Sequence, residues 1–322
     1  TSIFDHPEFI SFNRLVIKLF TNWKKVSIPL LNTFEKKGRP KKIIETLSED
    51  LLVRFKTISL IDKYDVYQHL MDYWMEKMQD DFYLIADVGW KDAALPHEMF
   101  KIKDVNGKLV WPKEPTDYMK KKRRFKSDLL PSKILIKKYF LSEHDTIEEL
   151  KSQLTDIEQK LQVTMEENSG EDDLLSEVIE GEGDKQKITL KSVNARMKEI
   201  SKDSNLLEEY KALGEYNKLL EKQVDFKKKI KSTQDDLDSK LEDKYPKLKI
   251  EEIKEMVVED KWLANITNSI QDELNQISQT LTGRITELAE RYANPLPKIN
   301  EEVKMLTTEV EQHLKKMGAS WK

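Results

Sequence analysis

The sequence predicts a mainly α fold: a helical domain with a small antiparallel β-hairpin or sheet, a long helical-hairpin (coiled-coil) arm and a C-terminal helical tail. Three observations predict it. Apolar residues in the second half recur three or four apart over long stretches, which lays one narrow seam along a helix. Charged residues make up 35% and hydrophobic residues 38% of 322, a balance suited to solvated helices rather than a thick core. With 9 Gly and 10 Pro, the chain carries little of the turn chemistry that an all-β fold needs.

Pro7 opens a helix over about 7–24, with Phe9, Phe12, Leu15, Val16, Leu19, Phe20 and Trp23 on one face, and Pro29 is expected to perturb its continuation. Gly38-Arg39-Pro40 is a turn before a helix over about 41–56. Asp62 is placed to cap a helix running to about Gln79, with Asp65 three residues on. Phe82 to Ile85 reads as a short buried strand. Asn106-Gly107, set between Phe100, Ile102 and Leu109 to Trp111, is the strongest hairpin signal in the chain, and Pro112 and Pro115 are expected to end the β element (about 82–112).

Residues 131–168 read as one helix or two, with Ser142 or Asp145 capping a second start. Ile147, Leu150, Leu154, Ile157, Leu161 and Met165 form the outgoing seam of the arm, and Tyr210, Leu213, Leu220, Val224, Leu237 and Leu241 the returning one. The returning helix, about 204–243, would span roughly 60 Å and stops at Pro246. Between them, 169–187 is acidic and Gly-bearing and reads as the arm's partly flexible distal end, followed by a short amphipathic helix at 188–200. The tail carries two more seams, Ile266 to Tyr292 and Leu296 to Met317, turning at Asn294-Pro295; such helices can zip together or clamp a third. The chain thus divides into 1–142, a 143–245 arm and 246–322 for subunit packing.

A net charge of −4 excludes a globally basic nucleic-acid binder, so any such contact uses local patches. The absence of cysteine excludes disulfides, cysteine zinc sites and thiol nucleophiles, and fits a cytoplasmic protein. No run of apolar residues is long enough to span a bilayer, and Thr1 to His6 do not open a signal peptide.

No catalytic constellation is legible. Gly181-Glu182-Gly183 lacks a third glycine and a preceding strand, and its carboxylates would repel a phosphate, so it reads as a linker. His6, His69, His97, His144 and His313 share no metal-binding spacing. Asn294-Pro295-Leu296-Pro297 lacks the second proline and the aromatic of a base-flipping methyltransferase motif and reads as a helix-breaking turn. Two basic clusters remain. Lys120, Lys121, Lys122, Arg123, Arg124 and Lys126, flanked by Tyr118 and Phe125, are candidates for phosphate-backbone contact from a 113–126 loop. Lys36 to Lys42 is a second cluster at a turn. On the tail, Leu281, Ile285, Leu288, Leu306, Val310 and Leu314 are the candidates for helix packing, within the chain or on a partner.

Several blocks together resemble one family: Asp62 to Gln68 with Leu70 to Trp74 and Met78 to Asp81, then Val257 to Leu263, Leu281 to Arg284 with Glu290 to Ala293, and Lys315 to Gly318. They are similar to the C-terminal half of the modification (methyltransferase) subunit of type I restriction–modification systems, over nearly the whole chain and in order. The resemblance implies an upstream methyltransferase domain that binds S-adenosylmethionine and methylates adenine at N6. Neither its Gly-rich cofactor motif nor its Asn-Pro-Pro-Phe motif occurs here, so this chain is expected to be an excised, non-catalytic portion without catalytic, cofactor or metal residues. The resemblance further implies assembly with the specificity subunit and with DNA, leaving the restriction subunit and self-association open as further partners. The rival reading from the residues alone is a free-standing coiled-coil structural or oligomerisation protein with no nucleic-acid role.

Overall fold

The structure, a computed structural model, describes residues 6–105, 107–168, 174–181, 187–201, 206–292 and 296–318. It is mainly α, 76% helical, with small antiparallel sheets. The chain opens with α1 (Pro7–Asn32), α2 (Pro40–Arg54) and α3 (Lys63–Tyr73), widens into a π-helical turn at Trp74–Met78, and continues as α4 (Gln79–Val88) and the short α5 (Trp90–Ala93). Strands β1 (His97–Glu98), β2 (Ile102–Lys103), β3 (Leu109–Val110), β4 (Tyr118–Lys120) and β5 (Arg123–Lys126) follow. Then come α6 (Ser132–Tyr139), α7 (Leu141–Glu167), β6 (Ile179–Glu180), β7 (Lys187–Ile188), α8 (Leu190–Ile200) and α9 (Leu207–Lys244). After α10 (Ile250–Glu255), a second π-helical stretch at Met256–Leu263 leads into α11 (Ala264–Arg291) and α12 (Leu296–Lys316).

Four sequence expectations are corrected. α1 does not stop near residue 24 but runs on to Asn32, with Pro29 inside the helix and flanked by buried Ser27 and Leu31, so packing holds the final turn although one intrahelical bond is lost. Phe82 to Ile85 is helical, not a strand. Phe82 and Ile85, three apart, are buried while Tyr83 is exposed, which is helical periodicity over a run too short to reveal it. The break before α7 falls at Phe140, with neither Ser142 nor Asp145 as its cap. The β element does not stop at Pro112, because the basic segment expected to be a loop forms β4 and β5. Asp62, by contrast, caps α3 as expected, accepting from the Tyr64 backbone N–H at 2.9 Å. Asn106, Asn294, Pro295, Glu182, Gly183 and most of the acidic 169–187 segment lie outside the described residues.

Two compact units emerge, Thr1–Ala86 with Val258–Lys322, and Asp87–Val257. The arm and the β element therefore share one unit, and the C-terminal helices belong with the first 86 residues.

In the discontinuous unit α1 packs on α2, α2 on α3, and α11 on α3. Buried aromatics dominate: Phe9, Phe12, Phe20, Trp23, Trp74, Phe82 and Trp262. Trp23 donates its indole N–H to the Leu47 carbonyl at 3.1 Å, and Phe82 stacks on Trp262 with ring centres 4.7 Å apart. Beside this stack lies Asp81, 5% exposed. Lys261 reaches its carboxylate at 2.8 Å and the Trp262 indole N–H donates to it at 2.7 Å. Burial pushes the Asp81 carboxyl above its usual range, with Lys261 and Trp262 pulling it down.

In the other unit α7 packs on α9. Glu143 pairs with Lys240 at 2.6 Å and Glu158 with Lys227 at 2.9 Å, so partners descend on α9 as they ascend on α7, and the arm is antiparallel. Lys240, with Ser142, holds the Glu143 carboxyl down at about 2. The arm has its own core, with Ile157, Leu161, Leu175, Val178, Ile188, Val193, Leu213 and Tyr216 clustered where α8 packs on α9.

Removing one partner of a buried ion pair strands the other. Asp81→Ala is expected to lower unfolding stability by about 3 kcal/mol, and Asp81→Leu with Lys261→Met to recover most of that loss. Urea unfolding of the two variants measures the difference.

Candidate nucleic-acid interface and helix-packing faces

The basic cluster is a built object. Tyr118↔Phe125, Met119↔Arg124 and Lys120↔Arg123 pair β4 with β5, and His97↔Lys126 and Glu98↔Phe125 add β1, giving the order β1-β5-β4. Tyr118 and Phe125 stack almost parallel, 5.0 Å between ring centres. Asp117 fastens the exit from the sheet, accepting from the Ser127 N–H at 2.7 Å and the Ser132 N–H at 2.6 Å. The free edge of β4 is met by α9, where the Met119 N–H donates to Asp238 at 2.9 Å, and Gln234 donates to the same carboxylate at 2.8 Å. Burial raises the Asp238 carboxyl above its usual range, against these two donors.

Lys121 and Lys122 form the two-residue turn, both left-handed at φ +47° and +67°. Such a turn favours Asn-Gly, because a side chain in this region carries a penalty of about 1 kcal/mol per residue. The strain holds two ammonium groups at the hairpin tip. They line one wall of a groove of about 830 Å³ whose other wall, on α9, carries Lys227 and Lys231 together with Asp235, Asp238 and Glu242.

The six predicted phosphate contacts fare differently. Lys120 is bound to Glu242, Arg123 to Glu98 at 3.3 Å, and Lys126 to Glu114 and Asp128 at 2.5 and 2.8 Å. Arg124 lies over the Trp111 ring, 4.4 Å from its centre. Lys121 and Lys122 are left without a carboxylate partner among the described residues. The second cluster, at Lys36 to Lys42, runs from the turn between α1 and α2 into the first turn of α2, and the Lys37 backbone N–H is tied to the Ala86 carbonyl at 2.8 Å.

Contiguity was too narrow a criterion for the basic surface. From His97 to Lys126 ten lysines and arginines stand against four aspartates and glutamates, a local +6 in a chain of net −4. Lys101, Lys103, Lys108 and Lys113 belong to this surface, and a windowed charge count would have found them.

Of the predicted packing residues, Leu281 and Leu314 are half-buried while Ile285, Leu288, Leu306 and Val310 are exposed. Ile266, Ile270 and Leu274 anchor the first half of α11 in the core, whereas α12 buries none of its residues. Ile299 and Val303 extend the same uncovered α12 seam.

Among the described residues no three His, Asp or Glu converge on a metal position, and no helix is long and apolar enough to cross a membrane. Comparison with family models, with curated proteins and with solved structures gives no match.

Replacing the tip by the residues its backbone prefers should relieve the strain. Lys121→Asn with Lys122→Gly is expected to raise stability by about 1 kcal/mol, read as a higher midpoint in urea, and to weaken binding of a polyanion such as heparin.

Proposed function

We propose that this chain is the non-catalytic C-terminal part of a modification subunit of a type I restriction–modification system, acting in the cytoplasm. In this reading α12 and the exposed half of α11 pack on the long helices of the specificity subunit, and the β4–β5 hairpin touches the DNA backbone. S-adenosylmethionine and adenine N6 methylation belong to the upstream domain of the full-length protein. The supporting observation is the uncovered seam of α12, from Leu296 through Ile299, Val303, Leu306 and Val310, spaced for knobs-into-holes packing and exposed along its length. Burying a leucine or valine of this kind contributes about 1.5–3 kcal/mol each, enough over several residues to hold a partner helix.

The test is co-purification of the chain with a specificity subunit, with sedimentation of the chain alone. Leu306→Asp with Val310→Asp is expected to abolish the complex while leaving helicity unchanged. Self-association that this pair disrupts, without capture of the specificity subunit, would replace the proposal by the free-standing coiled-coil reading.

A further inference from the structure

The β2–β3 ribbon is a second exposed feature of the same basic surface, and Lys120 to Lys126 do not explain it. Ile102 pairs with Val110 and Lys103 with Leu109. The turn is closed by the Gly107 N–H on the Asp104 carbonyl at 2.9 Å, with Gly107 at φ +76°. The Asp104 carboxylate accepts from the Lys108 backbone N–H at 2.8 Å, so the acid at the tip is turned inward on the loop. Alternation along the strands puts Ile102 and Val110 on one face and Lys103 and Leu109 on the other. Continuing the register, Lys101 lies over Trp111, 5.6 Å from the ring centre, and Arg124 of β5 covers that ring as well. Trp111 thereby fastens the ribbon's base.

On either side of that base the segment is bare. Phe100 is 70% exposed, Ile102 and Leu109 more than half, and Val105 fully. A two-stranded ribbon with no covered face is marginal by itself, and contiguous apolar exposure marks a surface that something covers. Charge selects the occupant. Lys103, Lys108 and Lys113 have no carboxylate partner among the described residues, and the surrounding segment holds the local +6 of an otherwise acidic chain. A narrow ribbon carrying unpaired lysines beside exposed aliphatic side chains suits the major groove of a duplex, which is wide enough to admit two strands.

We infer that the β2–β3 ribbon enters the major groove of double-stranded DNA, with Lys103 and Lys108 on flanking phosphates, Ile102 on one face against base edges and Leu109, on the face it shares with Lys103, against the sugars. The inference rests on the proposed DNA contact of this unit and adds a separate element to it. It predicts two kinds of loss. Lysine contacts release counterions and set the salt dependence, whereas apolar contacts change affinity alone.

The experiment is fluorescence anisotropy of the full chain with a labelled duplex of about 30 bp across roughly 50–200 mM salt. Lys103→Glu with Lys108→Glu is expected to weaken binding about tenfold or more and to reduce the log–log salt slope by about 2. Ile102→Ser with Leu109→Ser should weaken it several-fold at unchanged slope. Both pairs lie at exposed positions, and circular dichroism checks that the fold persists. If neither pair changes affinity while Lys121→Glu with Lys122→Glu does, the ribbon is excluded and the hairpin contact stands. If none of the three matters, or the unaltered chain does not bind the duplex, both fall. Binding to phosphatidylserine vesicles but not to the duplex, lost in the Lys103/Lys108 pair, would assign the ribbon to an anionic membrane surface and overturn the inference.

Discussion

The buried carboxylate of Asp81 is the constraint on which the discontinuous unit closes. Its partners Lys261 and Trp262 lie 180 and 181 residues away, on the far side of the whole second unit. Side chains adjacent in sequence diverge by about 100° around an α-helix, yet these two converge on one carboxylate. The π-helical stretch at Met256–Leu263 widens the turn and narrows that divergence, and the long Lys261 stem closes the remainder. A hydrophobic core tolerates sliding, whereas a buried acid needing one ammonium and one indole N–H does not. The contact therefore fixes which residues of the returning helix meet α4, and with them the Phe82–Trp262 stack and the packing of α11 on α3.

A second buried acid does comparable work in the other unit. Asp238, on the face of α9, takes the edge N–H of β4 that would otherwise invite another strand. This helix-to-edge bond orients the hairpin, and the orientation sets which of its cations reach solvent. Lys120 falls within reach of Glu242 one helical turn on from Asp238, while Lys121 and Lys122 share the groove with Asp235, Asp238 and Glu242 without forming an ion pair among the described residues. The division between neutralised and available lysines thus follows from how the sheet is seated.

Much of this architecture was legible in the sequence, because periodicity is local. The seams of α7, α9, α11 and α12 follow from spacing alone, as do the Asp62 cap and the hairpin around Gly107. What failed was long-range or short-run. Phe82 to Ile85 reads as a strand because four apolar residues show no period, and because the partners that bury Asp81 are invisible from nearby sequence. The pairing of Lys120 and Arg123 depends on carboxylates 122 and 25 residues distant, and that of Lys126 on Glu114, 12 residues back, as well as on nearby Asp128, so a run of cations gave no sign of how many remain free. The seams had the same limit. Spacing marks Ile270 and Val310 alike as packing residues, but only the fold separates the one sealed in the core from the one in water.

These exposed features form a consistent pattern. Stability alone would place Asn-Gly at the β4–β5 turn, polar residues along α12 and threonines on the β2–β3 ribbon. Instead, lysines sit in left-handed backbone, leucines and valines line a solvated helix, and aliphatic side chains stand bare on a two-stranded ribbon. Each departure raises the free energy of the isolated chain, and each would be relieved by an occupant of matching chemistry, a helix for α12 and a polyanion for the β element. A self-sufficient fold would gain nothing from them, whereas a component of an assembly recovers the penalty on binding. Among the described residues Lys37 is also left-handed and Val53 and Met75 are also bare, so the proposed association rests not on exposure alone but on the alignment of exposed side chains along α12 and across the β element.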